Sequence, residues 1–366
     1  MIRVAEAVSL AHPDRICDAI CESIVDAVIA RERRAICALE CAVYKDEVYL
    51  DGRIASFHKP DIISPGEIER IVRKHYALLD LPGARQPKLA EELKVRFNLD
   101  IDFIPDESET ERDVSDDQNI VTGFACADAV TNFLPLEHFT AVELASAFDR
   151  AVIFNRSLLG LGPDFKILVA IEPSIGIKQI VLTIQHAAGM SFNEIYGPCR
   201  TLILDTLKKL FAGTKYEYLT DVPSSALTIN PFGDFTYGGP LGDNGLSGKK
   251  LAVDFYGPAI PIGGGAISGK DPYKIDVCGA FKARELALEL VRERGYDRAY
   301  THLAFAPGFE RPLCAEAICL KSGKIETVTE SDLPDDRLSI VQINEDMDEL
   351  LTHKFDRLTR GYMNFR

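Results

Sequence analysis

The stretch Gly239 to Lys274, GPLGDNGLSGKKLAVDFYGPAIPIGGGAISGKDPYK, is the one around which the chain reads. It holds two glycine-rich turns that each end in lysine, Gly245-Leu246-Ser247-Gly248-Lys249-Lys250 and Gly263-Gly264-Gly265-Ala266-Ile267-Ser268-Gly269-Lys270. Glycine lets backbone N–H groups approach an anion closely, and a neighbouring lysine adds charge, so the combination suits a polyphosphate. Taken alone, the stretch fits a pair of glycine hairpins with solvated lysines equally well. The second turn nearly spells a P-loop through Gly264, Gly269 and Lys270, but Asp271 stands where the magnesium-holding Ser or Thr belongs, which argues against one. Leu251 to Tyr256 reads as a short buried strand between the turns. Asp271-Pro272 reads as an N-cap with proline at the first helical position, opening a helix with Val277, Phe281, Leu288 and Val291 on one face. Lys274 and Asp276 fall near its start.

At 366 residues two or three domains are expected. The formal net charge of −15 argues against nucleic acid or an anionic membrane surface as the main partner, so lysines clustered here form a local feature. No apolar span is long enough to cross a bilayer, and MIRVAEAVSLAHPDR lacks the basic-then-apolar plan of a leader, so a cytoplasmic location is expected. The nine cysteines are scattered: Cys17 and Cys21 sit at i, i+4 on an apolar helix face as buried thiols, Cys37 and Cys41 flank a strand, and zinc-ligand spacing is missing.

Outward from the centre, Val4 to Ser9 reads as a strand, and His12-Pro13-Asp14-Arg15 opens a helix striped by Ile16, Ile20, Ile24 and Val28. That places His12 and Asp14 at a helix N-terminus, where the dipole favours anions; capping and dipole-stabilising roles explain both residues equally. Ala35–Ala42 and Glu47–Ser56 alternate like a hairpin, with Glu40 inside an apolar strand, where a carboxylate needs a partner, a cation or an edge in solvent. Ser64–Leu79 reads as a capped helix, and Ile104–Asp117 as a mobile acidic loop before the strand Ile120–Cys126. Leu136–Ser157 and Ser191–Leu210 read as helices around a hairpin, Ile167–Glu172 with Lys178–Gln185. Thr301–Phe305 and Leu313–Leu320 read as strands, and Asn344–Leu358 as a last helix. Strand pairs followed by helices, three times over, predict an α+β fold rather than a βαβ sheet. The expected divisions are 1–100, 101–228 and 229–366.

Several separated motifs together resemble the S-adenosylmethionine synthetase (methionine adenosyltransferase) family. They are His12-Pro13-Asp14, Asp117-Gln118, Pro163-Asp164-x-Lys166, Gln185-His186, Ile229-Asn230-Pro231-x-Gly233, Gly238-Gly239-Pro240-x-Gly242-Asp243, and Gly263 through Asp276. The order is right, and the likeness fades beyond about Pro307. The resemblance implies three similar α/β subdomains, each a mixed sheet with helices on one face. It implies a homodimer with interface active sites, a tetramer being the alternative. It also implies ATP and L-methionine as substrates, two Mg2+ per site and K+: the methionine sulfur displaces the triphosphate from C5′ of ATP, and the tripolyphosphate is then cut to diphosphate and phosphate. By this resemblance His12, Lys166, Lys250 and Lys270 are catalytic, and Asp164, Phe235, Asp243, Lys249 and Ala266 join them in binding ATP, Phe235 by stacking on adenine. Asp117, Asp243, Lys274 and Arg53 fall at the other substrate contacts, Asp14 and Asp276 at magnesium, and Glu40 at potassium.

The departures concentrate at the methionine end. The family's Gly-Glu-Ile, whose acid takes the methionine amine, is here Gly52-Arg53-Ile54, a charge reversal that repels an ammonium and attracts a carboxylate. Asp234 replaces an arginine before the adenine ring, and Lys249 replaces a cradle arginine, losing a bidentate contact. The loop 104–117 lacks the family's glutamine, and Gly361-Tyr362-Met363-Asn364-Phe365 stands for a C-terminal Gly-His-Phe-Gly. Three readings follow: a synthetase in which Arg53 points away or is offset by an acid such as Glu47 or Asp51; an adenosyltransferase with another nucleophile; or a non-catalytic regulatory subunit.

Overall fold

The computed structural model describes residues 1–80, 92–105, 112–333 and 335–352. The end of the last expected helix, the substitute C-terminal motif at 361–365 and residues 106–111 of the acidic loop lie outside the described residues.

Alternating burial along β2 (Ile36–Tyr44) and β3 (Glu47–Ser56) gives one dry face, with Cys37, Leu39, Cys41 and Val43 inward and Ala38, Glu40 and Tyr44 outward. The cysteines thus lie within β2 rather than flanking it. The strands pair antiparallel, and β3 adds a parallel neighbour, β4 (Lys94–Phe103). Sequence reading passed over β4, although Val95, Phe97, Leu99, Ile101 and Phe103 alternate with polar and charged residues at the period of a strand. Helix α1 (Pro13–Ile29) lies against this sheet with α2 (Pro65–Tyr76) beside it, the latter capped by Ser64.

The same plan recurs twice. Strands β1 (Arg3–Val8), β6 (Leu161–Glu172), β7 (Gly176–His186) and β8 (Leu227–Ile229) form a sheet against which α3 (Leu136–Asp149) packs, with α4 (Phe192–Phe211) beside it. Strands β12 (Lys324–Thr329), β11 (Cys314–Lys321), β10 (Arg298–Phe305) and β5 (Asn119–Cys126) form the third, packed on α6 (Ile275–Arg292) with α7 (Ile340–Thr352) beside it. Three similar α+β layers are thus present, each a four-stranded sheet with a helix pair.

The layers are not consecutive in sequence. Strand β1 joins the second sheet, β5 the third, and β9 (Gly245–Leu246) edges the first beside β2. Strand pairing therefore crosses the expected divisions at 100 and 228 in all three sheets. Two further expectations are corrected around the glycine turns. Leu251–Asp254 is a short helix, α5, not a strand, since so short an apolar run carries no period to separate the two. The helix expected from Pro272 starts at Ile275 with Lys274 as N-cap; Asp271 caps the turn before it, accepting the Tyr273 N–H at 3.1 Å, and also accepts the Cys37 N–H at 2.9 Å and pairs with the Arg112 guanidinium.

Candidate active site

His12 closes the β1–α1 turn, caps α1 and is 2 % exposed. Its Nδ1 accepts the Asp14 N–H at 3.2 Å, which leaves the ring proton on Nε2. Nε2 is buried and meets no acceptor among the described residues. Burial, with the charges of Lys250 and Lys166 nearby, lowers His12 to about 3, so the imidazole stays neutral at physiological pH. Asp14 accepts the Leu246 N–H at 3.0 Å and pairs with Lys250. Burial alone would raise Asp14, but the bonds from Lys250 and Leu246 hold it below the usual carboxylate range. Lys166 extends from β6 opposite Val8 and is exposed, with Asp164 two residues before it. Asp164 is buried, accepts the Gly239 N–H at 2.7 Å, and its Oδ1 has no partner among the described residues. Desolvation raises it to about 6 against the pull of Gly239 and Lys166.

A second group forms at the start of α6. Lys270 pairs with Asp276 at 2.7 Å, and Asp276 accepts the Asn119 amide at 2.7 Å. Gly265 passes so close that a Cβ there would stand 2.0 Å from the Asp276 carboxylate, so any side chain would displace Asp276 or Asn119. The two groups touch: a Cβ on Gly248, whose φ is +69, would lie 2.7 Å from the Ala266 methyl. Lys274 pairs with Asp116 of the acidic loop at 2.6 Å.

The turns correct one expectation. Their N–H groups do approach anions, but the anions belong to the protein: Leu246, Gly248 and Gly269 donate to Asp14, Asp18 and Glu22 of α1. Of the cations, Lys166 and Lys249 alone among the expected site lysines have no ion pair among the described residues, and both are exposed.

The remaining expected residues lie at the margins. Glu40 faces out from β2 and accepts Ser247 Oγ at 2.6 Å, which resolves the acid in an apolar strand: it occupies the wet face. Arg53, on the same face, pairs with Asp102 of β4 at 2.8 Å. The offsetting acid is thus neither Glu47, which pairs with Lys94 and Arg96, nor Asp51, which accepts Asn98. Arg53 stands opposite Ala38, which bridges Lys270, so it borders the second group. Phe235 is half-buried, its backbone held by His186, whose Nε2 accepts the Phe235 N–H at 3.0 Å. Asp117 and Asp243 are exposed and bond to the next residue's N–H. Sequence reading missed Asp18, Glu22, Asn119 and Asp102. The acids at 14, 18 and 22 interrupt an apolar helix at four-residue spacing, the one signal that marks two of these.

Among the described residues no three His, Cys, Asp or Glu side chains gather as a metal-holding group, and no helix is long and apolar enough to cross a membrane.

Comparison with known proteins matches the chain to three family models: the S-adenosylmethionine synthetase N-terminal domain over residues 1–81, central domain over 112–235 and C-terminal domain over 237–355. The last extends well past Pro307, where the sequence motifs give out. The S-adenosylmethionine synthase of Acholeplasma laidlawii is 32% identical over 325 residues, covering 84% of this chain and 79% of that one. The one from Thermus thermophilus is 30% identical over 353 residues, 92% of this chain and 84% of its own. An unusual S-adenosylmethionine synthetase from Campylobacter jejuni superposes with a TM-score of 0.81 at 26% identity, over 99% of this chain and 94% of that one. With three domain models in order along most of its length, this chain belongs to the S-adenosylmethionine synthetase family.

Proposed function

We propose that this protein is a methionine adenosyltransferase, which joins the sulfur of L-methionine to C5′ of ATP and then hydrolyses the released tripolyphosphate. The observation that carries this is His12: a buried, neutral imidazole whose Nε2–H meets no acceptor among the described residues, flanked by Lys166 and Lys250. Such a donor suits the oxygen that gains charge as the triphosphate leaves, and fixed donors in a water-poor site stabilise that charge. Lys166, Lys249, Lys250 and Lys270 would bind the polyphosphate, with Ala266 at the contact between the two turns. Phe235 would stack on adenine, with Asp164 and Asp243 beside the nucleotide, and Asp117 and Lys274 would take the remaining substrate contacts.

Asp14 and Asp276 suit magnesium, which characteristically takes one or two carboxylates and completes its shell with water and substrate phosphates. Bound there, the ions would neutralise triphosphate charge. Glu40, on the wet face of β2, would serve potassium. An outer sheet face that exposes Tyr44, Tyr49 and Leu246 supports a homodimer. A cytoplasmic location would supply both ATP and methionine.

Arg53 is the observation that favours a different nucleophile, one with a carboxylate where methionine has its amine. Its pairing with Asp102 takes up that charge and favours methionine. The test is incubation with ATP, magnesium, potassium and L-methionine, followed by mass spectrometry for S-adenosylmethionine and phosphate analysis. Adenosyl product above the no-enzyme control is expected. Its absence, with supplied tripolyphosphate still cleaved, would move the search to other nucleophiles.

A further inference from the structure

Helix α1 carries three carboxylates at four-residue spacing, Asp14, Asp18 and Glu22, each 2 % exposed or less. Residues four apart share a helix face and stand about 6 Å apart along it. Each accepts one backbone N–H from the glycine-lysine turns: Asp14 from Leu246 at 3.0 Å, Asp18 from Gly248 at 2.8 Å, and Glu22 from Gly269 at 3.1 Å. Arg15 closes the far side of the first turn, with Nη1 at 3.1 Å from Asp18 and 2.5 Å from Asp254 at the end of α5. The Gly269 carbonyl in turn accepts the Leu39 N–H at 2.9 Å.

Burying three carboxylates costs free energy that a water-exposed turn would not incur. What the arrangement secures is location. Gly248 directly precedes Lys249-Lys250, and Gly269 directly precedes Lys270, so fixing these N–H groups fixes the roots of the lysines. The anchors of the two turns sit one helical turn apart on a single rigid element. We infer that Asp18 and Glu22 are positioning residues, which space the two lysine turns along α1 so that Lys249, Lys250 and Lys270 address one polyphosphate chain together. Neither acid touches substrate; both act through the lysines. The inference rests on the adenosyl-transfer reading for what the spacing serves.

Glu22→Asp tests it, because it keeps the charge and the acceptor and shortens the reach by one methylene. Misplacement of about 1 Å costs on the order of 10²-fold in rate. Expected are a kcat for adenosyl transfer at least tenfold lower, a melting temperature near that of the parent, and tenfold weaker binding of inorganic tripolyphosphate by calorimetry. Glu22→Gln, which keeps length and acceptor, should recover most of the activity lost in Glu22→Ala. A Glu22→Asp protein with parental kcat and tripolyphosphate affinity would overturn the inference, as would losses that track unfolding across all three variants. Should the Glu22 variants fail to fold, Asp18→Asn against Asp18→Ala carries the same comparison at Gly248. If the parent protein transfers no adenosyl group, the functional reading fails by itself. The tripolyphosphate affinities of the variants then still decide whether the carboxylates position the lysines.

Discussion

Replacing Asp102 by Asn removes the acid that offsets Arg53 and leaves the guanidinium on the outer face of the first sheet without its carboxylate. The two side chains are 47% and 42% exposed, so their pair contributes at most about 1 kcal/mol to stability, and the fold should survive. The effect on substrate is another matter. Where the family sets an acid for the methionine ammonium, a bare cation about 5 Å away repels it by roughly 1 kcal/mol in a water-like medium and about 3 kcal/mol at the dielectric typical near a protein surface.

The expected result for Asp102→Asn is a methionine KM raised by roughly 5- to 100-fold, with kcat and the KM for ATP little changed, the pattern of lost ground-state binding. Arg53→Met in the same protein should return most of the loss, and Arg53→Glu alone should lower the methionine KM below the parental value. Steady-state kinetics on the parent, Asp102→Asn, Arg53→Met and their double variant give the coupling between the two residues. A methionine KM that ignores Asp102→Asn and Arg53→Glu alike would refute the reasoning and place the amino acid away from this face.

Lys270→Met removes the partner of Asp276 and one cation of the polyphosphate group; adenosyl transfer should fall about 10²- to 10³-fold, the usual loss for one preorganised charge-stabilising donor, and a parental kcat would exclude Lys270 from the site. Arg112→Met leaves Asp271 buried without its guanidinium, which should cost about 3–5 kcal/mol by urea unfolding, less whatever Asp271 recovers by taking up a proton. Asp149, at the end of α3, accepts the Leu10 N–H at 3.1 Å just ahead of His12, and burial raises it to about 7. The folded chain therefore binds a proton there that the unfolded chain has released, and this contribution to stability is lost as pH rises from about 4 to 7. Asp149→Asn lacks that loss, so its stability relative to the parent should improve by up to about 4 kcal/mol between pH 4 and pH 8. Parallel pH profiles would contradict the assignment.

The fold was legible where local chemistry agrees with tertiary context. Pro13 and Ser64 start their helices where sequence places them, and the alternation of β2 and β3 gives the hairpin and its buried face. It was not legible where partners lie far away. Leu251–Asp254 carries too few residues to show a period at all. Asp271 does cap a turn, accepting the Tyr273 N–H, but its carboxylate also serves Cys37 and Arg112, more than 150 positions distant. The site divides in the same way. Glycine and lysine announce an anion, and resemblance names which one. That the turns spend N–H groups on α1 carboxylates is a tertiary fact, visible in sequence only as acids at 14, 18 and 22 in an apolar helix.

Those acids reconcile two features of the chain that otherwise pull apart. A chain with a formal net charge of −15 repels a polyphosphate at long range, yet gathers lysines at two turns. A lysine cluster alone would splay by self-repulsion. Here Lys250 is held by Asp14, Lys270 by Asp276 and Lys274 by Asp116, while Arg15 lies between Asp18 and Asp254. Each of these four cations is thus paired before substrate arrives, and its position does not depend on substrate to define it. The acids come from α1, the acidic loop, α5 and α6, and their lysines from the turns around β9 and before α6. No contiguous piece of this chain holds both members of every pair. The interleaving of strands across the three sheets is what brings them together, so the α1 segment cannot be separated from the glycine turns without dispersing the charge that the reaction requires.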